Sequence, residues 1–275
     1  RVTTWDAGVD REVLTLARYD TTLFLGGFFE NVGGVARSCL AAVSPVTGTL
    51  FPWDAAISRQ PFYSLDGGPH VSGLLIVNDT LFVAGSFTSI GGKSRQGLAA
   101  LDLGTALSTA WDPRAVRNVR SRASFWAMAK SGDTLFVAGA FDSLGGGPRS
   151  WIAAVSASTG ARLDWDPSPN HGVWALALQG GVLYVGGLFN GMSSWVKRHD
   201  LAAIDATTGR VTDWAPEPDY IVQDIVVREN TVYVGGSFSF VGGQPRSGIA
   251  ALDATTGLAT PWNPGVGGGV HSLAL

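Results

Sequence analysis

The chain has 275 residues, of which 45% are hydrophobic and only 15% are charged, and its formal net charge is -3. This composition excludes a disordered chain, and the lack of a basic excess argues against a surface that binds nucleic acid. The 37 Gly, 10 Trp and 13 Phe favour strands and turns over helices, so the composition predicts an all-β protein. No run of 18 apolar residues occurs, and no membrane-spanning helix is predicted.

An internal repeat organises the chain, because three sequence blocks recur in the same order five times. The first block reads Leu-Phe-Leu-Gly-Gly-Phe-Phe or a close variant, at residues 23–29, 81–87, 135–141, 183–189 and 232–238. The second block reads Leu-Ala-Ala-Val or a close variant, at residues 40–43, 98–101, 152–155, 201–204 and 249–252. A tryptophan then closes each repeat, at Trp53, Trp111, Trp165, Trp214 and Trp262.

Each repeat is predicted to contain four short strands. Alternating apolar residues before the first block predict a first strand, at residues 13–17, 71–76, 125–129, 173–178 and 221–227. The two blocks predict the second and third strands, and the fourth strand leads into the tryptophan. Turn residues separate these strands, such as Asn78-Asp79 before a second strand and Asp205 to Gly209 before a fourth.

Four antiparallel strands in about 50 residues are typical of one blade of a β-propeller. A solenoid is the competing arrangement, but its coils are normally shorter and use parallel strands. We therefore predict an all-β propeller with five complete four-stranded blades, at about residues 13–54, 71–112, 125–166, 173–215 and 221–263. One further strand is expected at each end, at residues 1–5 and 270–275, as part of an incomplete or truncated further blade.

The repeat resembles known propeller families. The pattern Leu-Tyr-Val-Gly-Gly-x-Phe, followed by Ala-Ala-Ile-Asp, Thr-Gly and Trp, resembles the bacterial delta-sixty-type repeat of secreted and cell-surface proteins. Its paired glycines and closing tryptophan also resemble kelch repeats. Residues 203–209 and 251–257 resemble the docking motif of quinoprotein dehydrogenases, which implies pyrroloquinoline quinone, but Gly209 and Trp214 are one residue further apart than in that motif. No cofactor is predicted, and the resemblances imply an exported propeller.

A repeated arginine precedes the third strand, and an acidic residue follows the tryptophan 17 residues later. The start of the third strand and the end of an antiparallel fourth strand are neighbours, which predicts the pairs Arg37–Asp54, Arg95–Asp112 and Arg149–Asp166. In the fourth repeat an inserted residue shifts Arg198 and the acid position holds Ala215, so no pair is predicted. A ring of arginines that binds an anion is the alternative. The five tryptophans are expected to pack between neighbouring blades.

Two enlarged connections lead into first strands, at residues 54–70 and 112–124. Long loops on a rigid scaffold commonly carry function. Aromatic rings beside arginines suit an acidic partner, a glycan or the edge of a protein, and a solvated loop pair is the alternative. The candidate ligand- or partner-binding residues are Arg59, Phe62, Tyr63, Asp66, His70, Arg114, Arg117, Arg120 and Arg122.

Catalytic and metal-binding motifs are scarce. The chain has no G-x-S-x-G elbow and no phosphate-binding loop, and it contains only four Glu. The non-repeated residues Asp66, Asp142, Asp200 and Asp219 leave an acid–base pair open as an alternative. His70, His171 and His271 are weak candidates for metal ligands, but they lack short-range ligand spacing, and no metal is predicted.

We therefore expect a non-catalytic propeller, secreted or on the cell surface, that acts as a scaffold or as a recognition module for a protein or a glycan. It is expected to bind no nucleic acid, and the extra end strands favour a piece of a larger chain or assembly. The alternative is a propeller enzyme, either a quinoprotein-like oxidoreductase or a carbohydrate-active hydrolase or lyase.

Overall fold

The computed structural model describes residues 4–58, 68–117, 123–193 and 196–274, and these residues form short strands and turns without a helix. None of this described part can therefore cross a membrane as an apolar helix. The chain divides into two compact units. Unit 1 comprises Arg1–Met128, Phe141–Pro148 and Ser158–Ala161. Unit 2 comprises Ala129–Ala140, Arg149–Ala157 and Arg162–Leu275.

Each repeat forms a three-stranded antiparallel sheet whose middle strand is the second strand of the repeat. The first strands are β1 (Val13–Tyr19), β6 (His70–Val77), β11 (Ser124–Ser131), β16 (Val173–Gln179) and β21 (Val222–Arg228). The middle strands are β2 (Thr22–Gly27), β7 (Thr80–Ser86), β12 (Thr134–Ala140), β17 (Val182–Gly187) and β22 (Thr231–Gly236). The third strands are β5 (Leu40–Val43), β10 (Leu98–Asp102), β15 (Ile152–Ser156), β20 (Leu201–Asp205) and β25 (Ile249–Asp253).

The connection between the second and third strands contains a short hairpin of two two-residue strands in every repeat. The sequence analysis predicted a loop without strands at this place. The hairpin strands are β3 (Asn31–Val32) with β4 (Val35–Ala36), β8 (Ser89–Ile90) with β9 (Lys93–Ser94), β13 (Ser143–Leu144) with β14 (Gly147–Pro148), β18 (Gly191–Met192) with β19 (Val196–Lys197), and β23 (Phe240–Val241) with β24 (Gln244–Pro245). In four of the five repeats, two consecutive glycines with positive φ form the tip, as at Gly33 (58°) and Gly34 (78°).

The prediction of four strands in each sheet is wrong, because the fourth segment makes only a single-residue bridge to the third strand. The five bridges are Val43–Leu50, Leu101–Ser108, Val155–Arg162, Ile204–Val211 and Leu252–Ala259. A threonine side chain explains the early end of this segment in the fourth repeat. Thr212 still donates its N–H to Ala203 O, but its Oγ1 then accepts the N–H of Trp214 at 3.3 Å, which removes that donor from the ladder.

The predicted end strands are also absent from the described residues, since neither residues 4–5 nor residues 270–274 are in a strand. The second of these segments nevertheless starts as a first strand would. Val270 donates its N–H to Gly236 O at 2.9 Å, and its side chain lies against Gly235. Val222 lies against Gly186 in the same way, but the later residues of the segment form no ladder.

The second and third strands read as nearly continuous apolar runs because both of their faces are largely buried. All four residues of β5 are buried, for example, and each unit has its own apolar clusters. Within unit 2, the ring of Trp214 lies edge-on to Tyr184 of its own repeat, with ring centroids 5.2 Å apart. Its Nε1 donates to Asp253 O of the next repeat at 3.1 Å, so this side chain joins two repeats.

The same tryptophan contact recurs within each unit. The Nε1 of Trp53 donates to Leu103 O at 2.9 Å in unit 1, and the Nε1 of Trp165 donates to Asp205 O at 3.3 Å in unit 2. The tryptophan of the last repeat differs, because Trp262 is 43% exposed whereas Trp214 is 6% exposed. These indoles are therefore framework residues wherever a following repeat covers them.

Candidate functional site

The structure brings together the residues of the three predicted arginine–aspartate pairs. Their Nη1 to Oδ2 distances are 3.4 Å for Arg37–Asp54, 3.7 Å for Arg95–Asp112 and 3.0 Å for Arg149–Asp166. All three arginine side chains are largely buried, and all three carboxylates are partly exposed. The pairs are therefore part of the framework at the edge of each repeat.

The prediction that Arg198 is shifted is wrong, because its side chain has the same kind of partners as the other arginines. Arg198 donates through Nη1 to Lys197 O and through Nη2 to Thr212 O. Arg246 likewise donates to Pro245 O and Thr260 O, both at 2.7 Å. Both terminal nitrogens bind backbone carbonyls, which does not favour the alternative of an anion-binding ring.

Most of the predicted binding residues lie outside the described part of the chain: Arg59, Phe62, Tyr63, Asp66, Arg120 and Arg122. Three of the candidates are described. Arg114 is exposed and donates its backbone N–H to Asp112 Oδ1 at 2.9 Å, and Arg117 is half-buried. His70 begins β6 and packs on Phe28, with ring centroids 4.6 Å apart.

A position that the sequence analysis missed lies immediately before each third strand, and we call it the left-handed position. Its residues are Cys39, Gly97, Trp151, Asp200 and Gly248, with φ between 55° and 70°. The backbone there links two strands, since Asp200 donates its N–H to Phe189 O at 2.8 Å and accepts the N–H of Gly187 at 2.9 Å. Glycine adopts this conformation without steric cost, whereas a side chain costs roughly 1–2 kcal/mol.

The repeats with glycine at the left-handed position have no room for a side chain. A Cβ on Gly97 would lie 2.8 Å from Gly85 O and 2.9 Å from Ala123 O. A Cβ on Gly248 would collide with Gly268 O. The following connection therefore closes the position in these two repeats, and the other three repeats hold Cys39, Trp151 and Asp200 in spite of the backbone strain. Strained residues of this kind often mark functional sites.

In the first repeat, the side chain at the left-handed position already has a hydrogen-bond partner. Cys39 is buried, and its Sγ donates to Pro69 O at 3.2 Å. The neighbouring His70 ring contacts Phe28, and burial lowers the pKa of His70. The Cys39 side chain is therefore held within its own surroundings, and the burial of His70 disfavours the charged form of its imidazole.

In unit 2 the left-handed position holds Trp151 in the third repeat and Asp200 in the fourth repeat. The ring of Trp151 stacks on His171, with centroids 5.2 Å apart and an angle of 12° between the planes. This contact fixes the orientation of the His171 ring, which forms a wall of a pocket of about 330 Å³. The pocket is lined by Asn170, His171, Leu188, Phe189, Asn190, His199 and Asp200.

Asp200 is the buried charge of this pocket, with only 8% of its surface exposed. Its Oδ1 accepts the backbone N–H of Phe189 at 2.9 Å, and Oδ2 has no hydrogen-bond partner among the described residues. Burial raises the pKa of Asp200, while the Phe189 hydrogen bond and the charges of His199 and His171 act in the opposite direction. A carboxylate in this position is costly unless a ligand compensates it.

A second pocket of about 450 Å³ adjoins the first, and Asn170 and Asn190 line both. The Oδ1 of Asn170 accepts the N–H of Asn190 at 3.1 Å. Asp10 accepts the N–H of Glu30 and Asp219 accepts the N–H of Ser239 in the same way. In each case the donor lies 20 residues after the acceptor in the chain. Asp219 is therefore a repeated structural residue, and its treatment as a non-repeated candidate acid was wrong. The signal in the sequence for this role was the 20-residue spacing between acceptor and donor, which three repeats share.

No group of three or more His, Cys, Asp or Glu side chains within the described ranges is arranged to hold a metal ion. His171 stacks on Trp151, and His271 is exposed. The weak metal candidates among the histidines thus gain no support from their surroundings.

Comparisons with known proteins give no family: no family model and no curated protein matches the chain. Among solved structures, it resembles the computationally designed Ika4 protein at 12% identity and a TM-score of 0.44, over 70% of this chain and 98% of that one. It resembles the computationally designed Ika8 protein at 14% identity and a TM-score of 0.45, over 99% and 92%. The extracellular domain of the putative one component system BT4673 from B. thetaiotaomicron matches at 12% identity and a TM-score of 0.49, over 90% of this chain and 29% of that one.

Proposed function

We propose that the chain is a β-propeller segment that acts as a non-catalytic recognition module for a protein partner. The propeller architecture is supported by the five sequence repeats, each with an antiparallel sheet, a short hairpin and a closing tryptophan. The indole contacts within each unit support close packing of consecutive blades. An extracytoplasmic location is part of the proposal, and its support is the resemblance to delta-sixty-type repeats.

The observation that carries the recognition function is the variation at one constrained backbone position. The backbone conformation is the same in all five repeats, but the side chains that fit there are a thiol, an indole and a carboxylate. A purely structural role would favour glycine, which avoids the strain. Binding sites commonly combine a rigid framework with varied residues in its connections.

An enzyme remains the second candidate, because burial raises the pKa of Asp200 and an acid of this kind can protonate a leaving group. Glycoside hydrolysis normally requires a second carboxylate. The described residues that line the Asp200 pocket include no second acidic side chain. This difference favours recognition over catalysis.

The recognition function can be tested with arrays of proteins and glycans probed by the purified, biotinylated chain. We expect saturable binding to a small set of proteins, with no turnover. The double variant Trp151→Gly/Asp200→Gly retains a residue suited to positive φ at both positions and should lose this binding without a lower midpoint of urea unfolding. The variant Cys39→Gly is the matched control and should bind as the unaltered chain does, because the Cys39 thiol is buried, bonds Pro69 O and is not among the groups that we assign to binding. Equal binding by the double variant, or binding to glycans alone, would contradict the proposal.

A further inference from the structure

We propose that the pocket around Asp200 binds the ammonium group of a lysine side chain on the protein partner. This inference rests on the proposed recognition function and specifies the chemical group that the site accepts. It is carried by the unpartnered oxygen of a buried carboxylate that lines an open pocket.

The carboxylate of Asp200 is incompletely compensated. One hydrogen bond from Phe189 N satisfies Oδ1, and the nearest basic groups are the imidazoles of His171 and His199. A cationic ligand that enters the pocket would pair with Oδ2 of this largely buried residue, and the surrounding protein strengthens the attraction because it limits the competing water.

Asp224 is a carboxylate of unit 2 in which both oxygens accept hydrogen bonds from the backbone, and it serves as a comparison for Asp200. Its Oδ1 accepts the N–H of Ile225 at 2.8 Å, and its Oδ2 accepts the N–H of Leu273 at 2.7 Å. Burial raises the pKa of Asp224 as it does that of Asp200, but both of its oxygens bind the protein itself. Asp224 therefore anchors residues 270–274, whereas Asp200 has an oxygen available to a ligand.

The geometry favours an ammonium group over a guanidinium group. A guanidinium binds a carboxylate best through two parallel hydrogen bonds, and Oδ1 of Asp200 already accepts the N–H of Phe189, which restricts the directions from which a second donor can approach that oxygen. An ammonium group is a point charge that a single oxygen can accept. Leu188 and Phe189 provide apolar surface for the methylene groups of a lysine stem.

Two amide side chains line the same pocket and bind each other. The side-chain amide of Asn170 donates to Asn190 Oδ1, and its own oxygen accepts the N–H of Asn190. These neutral groups can accept further hydrogen bonds but carry no charge, so Asp200 is the group in the pocket that attracts a cation. The ligand class that we propose is an aliphatic chain that ends in a primary ammonium group, and glucosamine is the competing ligand that the test includes.

The test is an NMR titration of the isotopically labelled full chain at pH 7.5 with Nα-acetyl-lysine N-methylamide. We expect saturable shifts of the amide signals of residues 188–190 and 199–200, with a dissociation constant on the order of 1 mM. The same probe acetylated on Nε should weaken at least tenfold, because it lacks the charge. Asp200→Asn should also weaken the lysine probe at least tenfold, and the control Asp224→Asn should change its affinity less than twofold.

Equal binding of the Nε-acetylated probe would overturn the proposal, as would an Asp200→Asn variant of unchanged affinity or tighter binding of glucosamine. The comparison of the two lysine probes uses the unaltered chain, so it does not depend on the folding of a variant. A chain that binds the lysine probe at Asp200 but no arrayed protein would contradict the recognition function and leave the ammonium site in place. Binding of arrayed proteins without binding of the lysine probe would contradict the ammonium site alone.

Discussion

Two aspartates with opposite electrostatic environments lie at the two ends of β20, because Asp200 precedes this strand and Asp205 is its last residue. At the turn after β20, Asp205 Oδ1 accepts the N–H groups of Thr207 and Thr208 and the hydroxyl of Thr208, and these bonds lower the pKa of Asp205. Before β20, Asp200 is buried with one free oxygen and a raised pKa. The first carboxylate is placed where its charge stabilises the fold, and the second where its charge opposes folding. A stabilising carboxylate and the carboxylate of the proposed binding site therefore lie at opposite ends of one short strand.

The largest effect is expected at the framework end, from Trp214→Ala. This substitution removes a buried ring and its hydrogen bond to Asp253 O, and we expect a loss of about 3–5 kcal/mol in the free energy of unfolding. Urea denaturation followed by tryptophan fluorescence and circular dichroism measures it. Trp262→Ala is the matched control and should cost less than about 2 kcal/mol, because Trp262 is 43% exposed. Equal losses of unfolding free energy in the two variants would show that contact with a following repeat adds nothing to the stabilisation by the indole.

A smaller loss is expected from Gly186→Ala, in the middle of the same sheet. The new Cβ would lie 2.6 Å from Cγ1 of Val222, which belongs to the next repeat. We expect a cost of about 1–3 kcal/mol in the free energy of unfolding. Combining it with Val222→Ala should cost less than the sum of the two single variants, because the second change removes the colliding methyl group. Strict additivity would mean that the two repeats do not interlock at this glycine.

The turn aspartate should show the pH dependence of a stabilising carboxylate. The pKa of Asp205 is lower in the folded chain, so its contribution is present above the ordinary titration range of aspartate and is lost as the pH falls. Asp205→Ala should therefore lower the free energy of unfolding at pH 7, and the difference should vanish in acid. Urea unfolding curves at pH 7 and pH 3 test this. A difference that stays constant with pH would assign the effect to the turn geometry instead of the charge.

The smallest effect on stability, and of opposite sign, is expected from Asp200→Asn. The pKa of Asp200 is raised in the folded chain, so its favourable contribution is complete at low pH and is lost as the pH rises through the folded value. The asparagine variant should therefore be at least as stable as the unaltered chain at pH 7, and this advantage should disappear in acid. A marked loss of stability at pH 7 would indicate that Asp200 is a framework residue.

The sequence predicts the framework well because each of its parts recurs. The second and third strands follow from long apolar blocks, and the arginine–aspartate pairs follow from a fixed spacing of 17 residues. The hairpins before the third strands were missed because strands of two residues are too short to show an alternating pattern. The single bridge of the fourth segment depends on hydrogen bonds such as that from Trp214 N to Thr212 Oγ1, which composition does not reveal.

The Asp200 pocket was harder to predict because the left-handed position has no fixed residue type. Glycine at residues 97 and 248 suggests an ordinary turn, and nothing in the letters Cys39, Trp151 or Asp200 indicates positive φ. The alignment of the five repeats contained the signal, since a residue type that alternates with glycine at one column often has a left-handed backbone. The sequence analysis placed the candidate binding site in the two enlarged connections instead, and most of their candidate residues lie outside the described ranges.

The collision of a Cβ on Gly97 with Gly85 O and Ala123 O has a consequence for how such a chain can acquire new ligands. A point mutation at this glycine cannot create a binding group, since the chain segment above it must first move aside. A change in the length of the connection that contains Ala123 would relieve one of the two collisions, whereas the collision with Gly85 O involves β7 itself. A larger residue at this glycine therefore requires compensating changes in both the connection and the sheet.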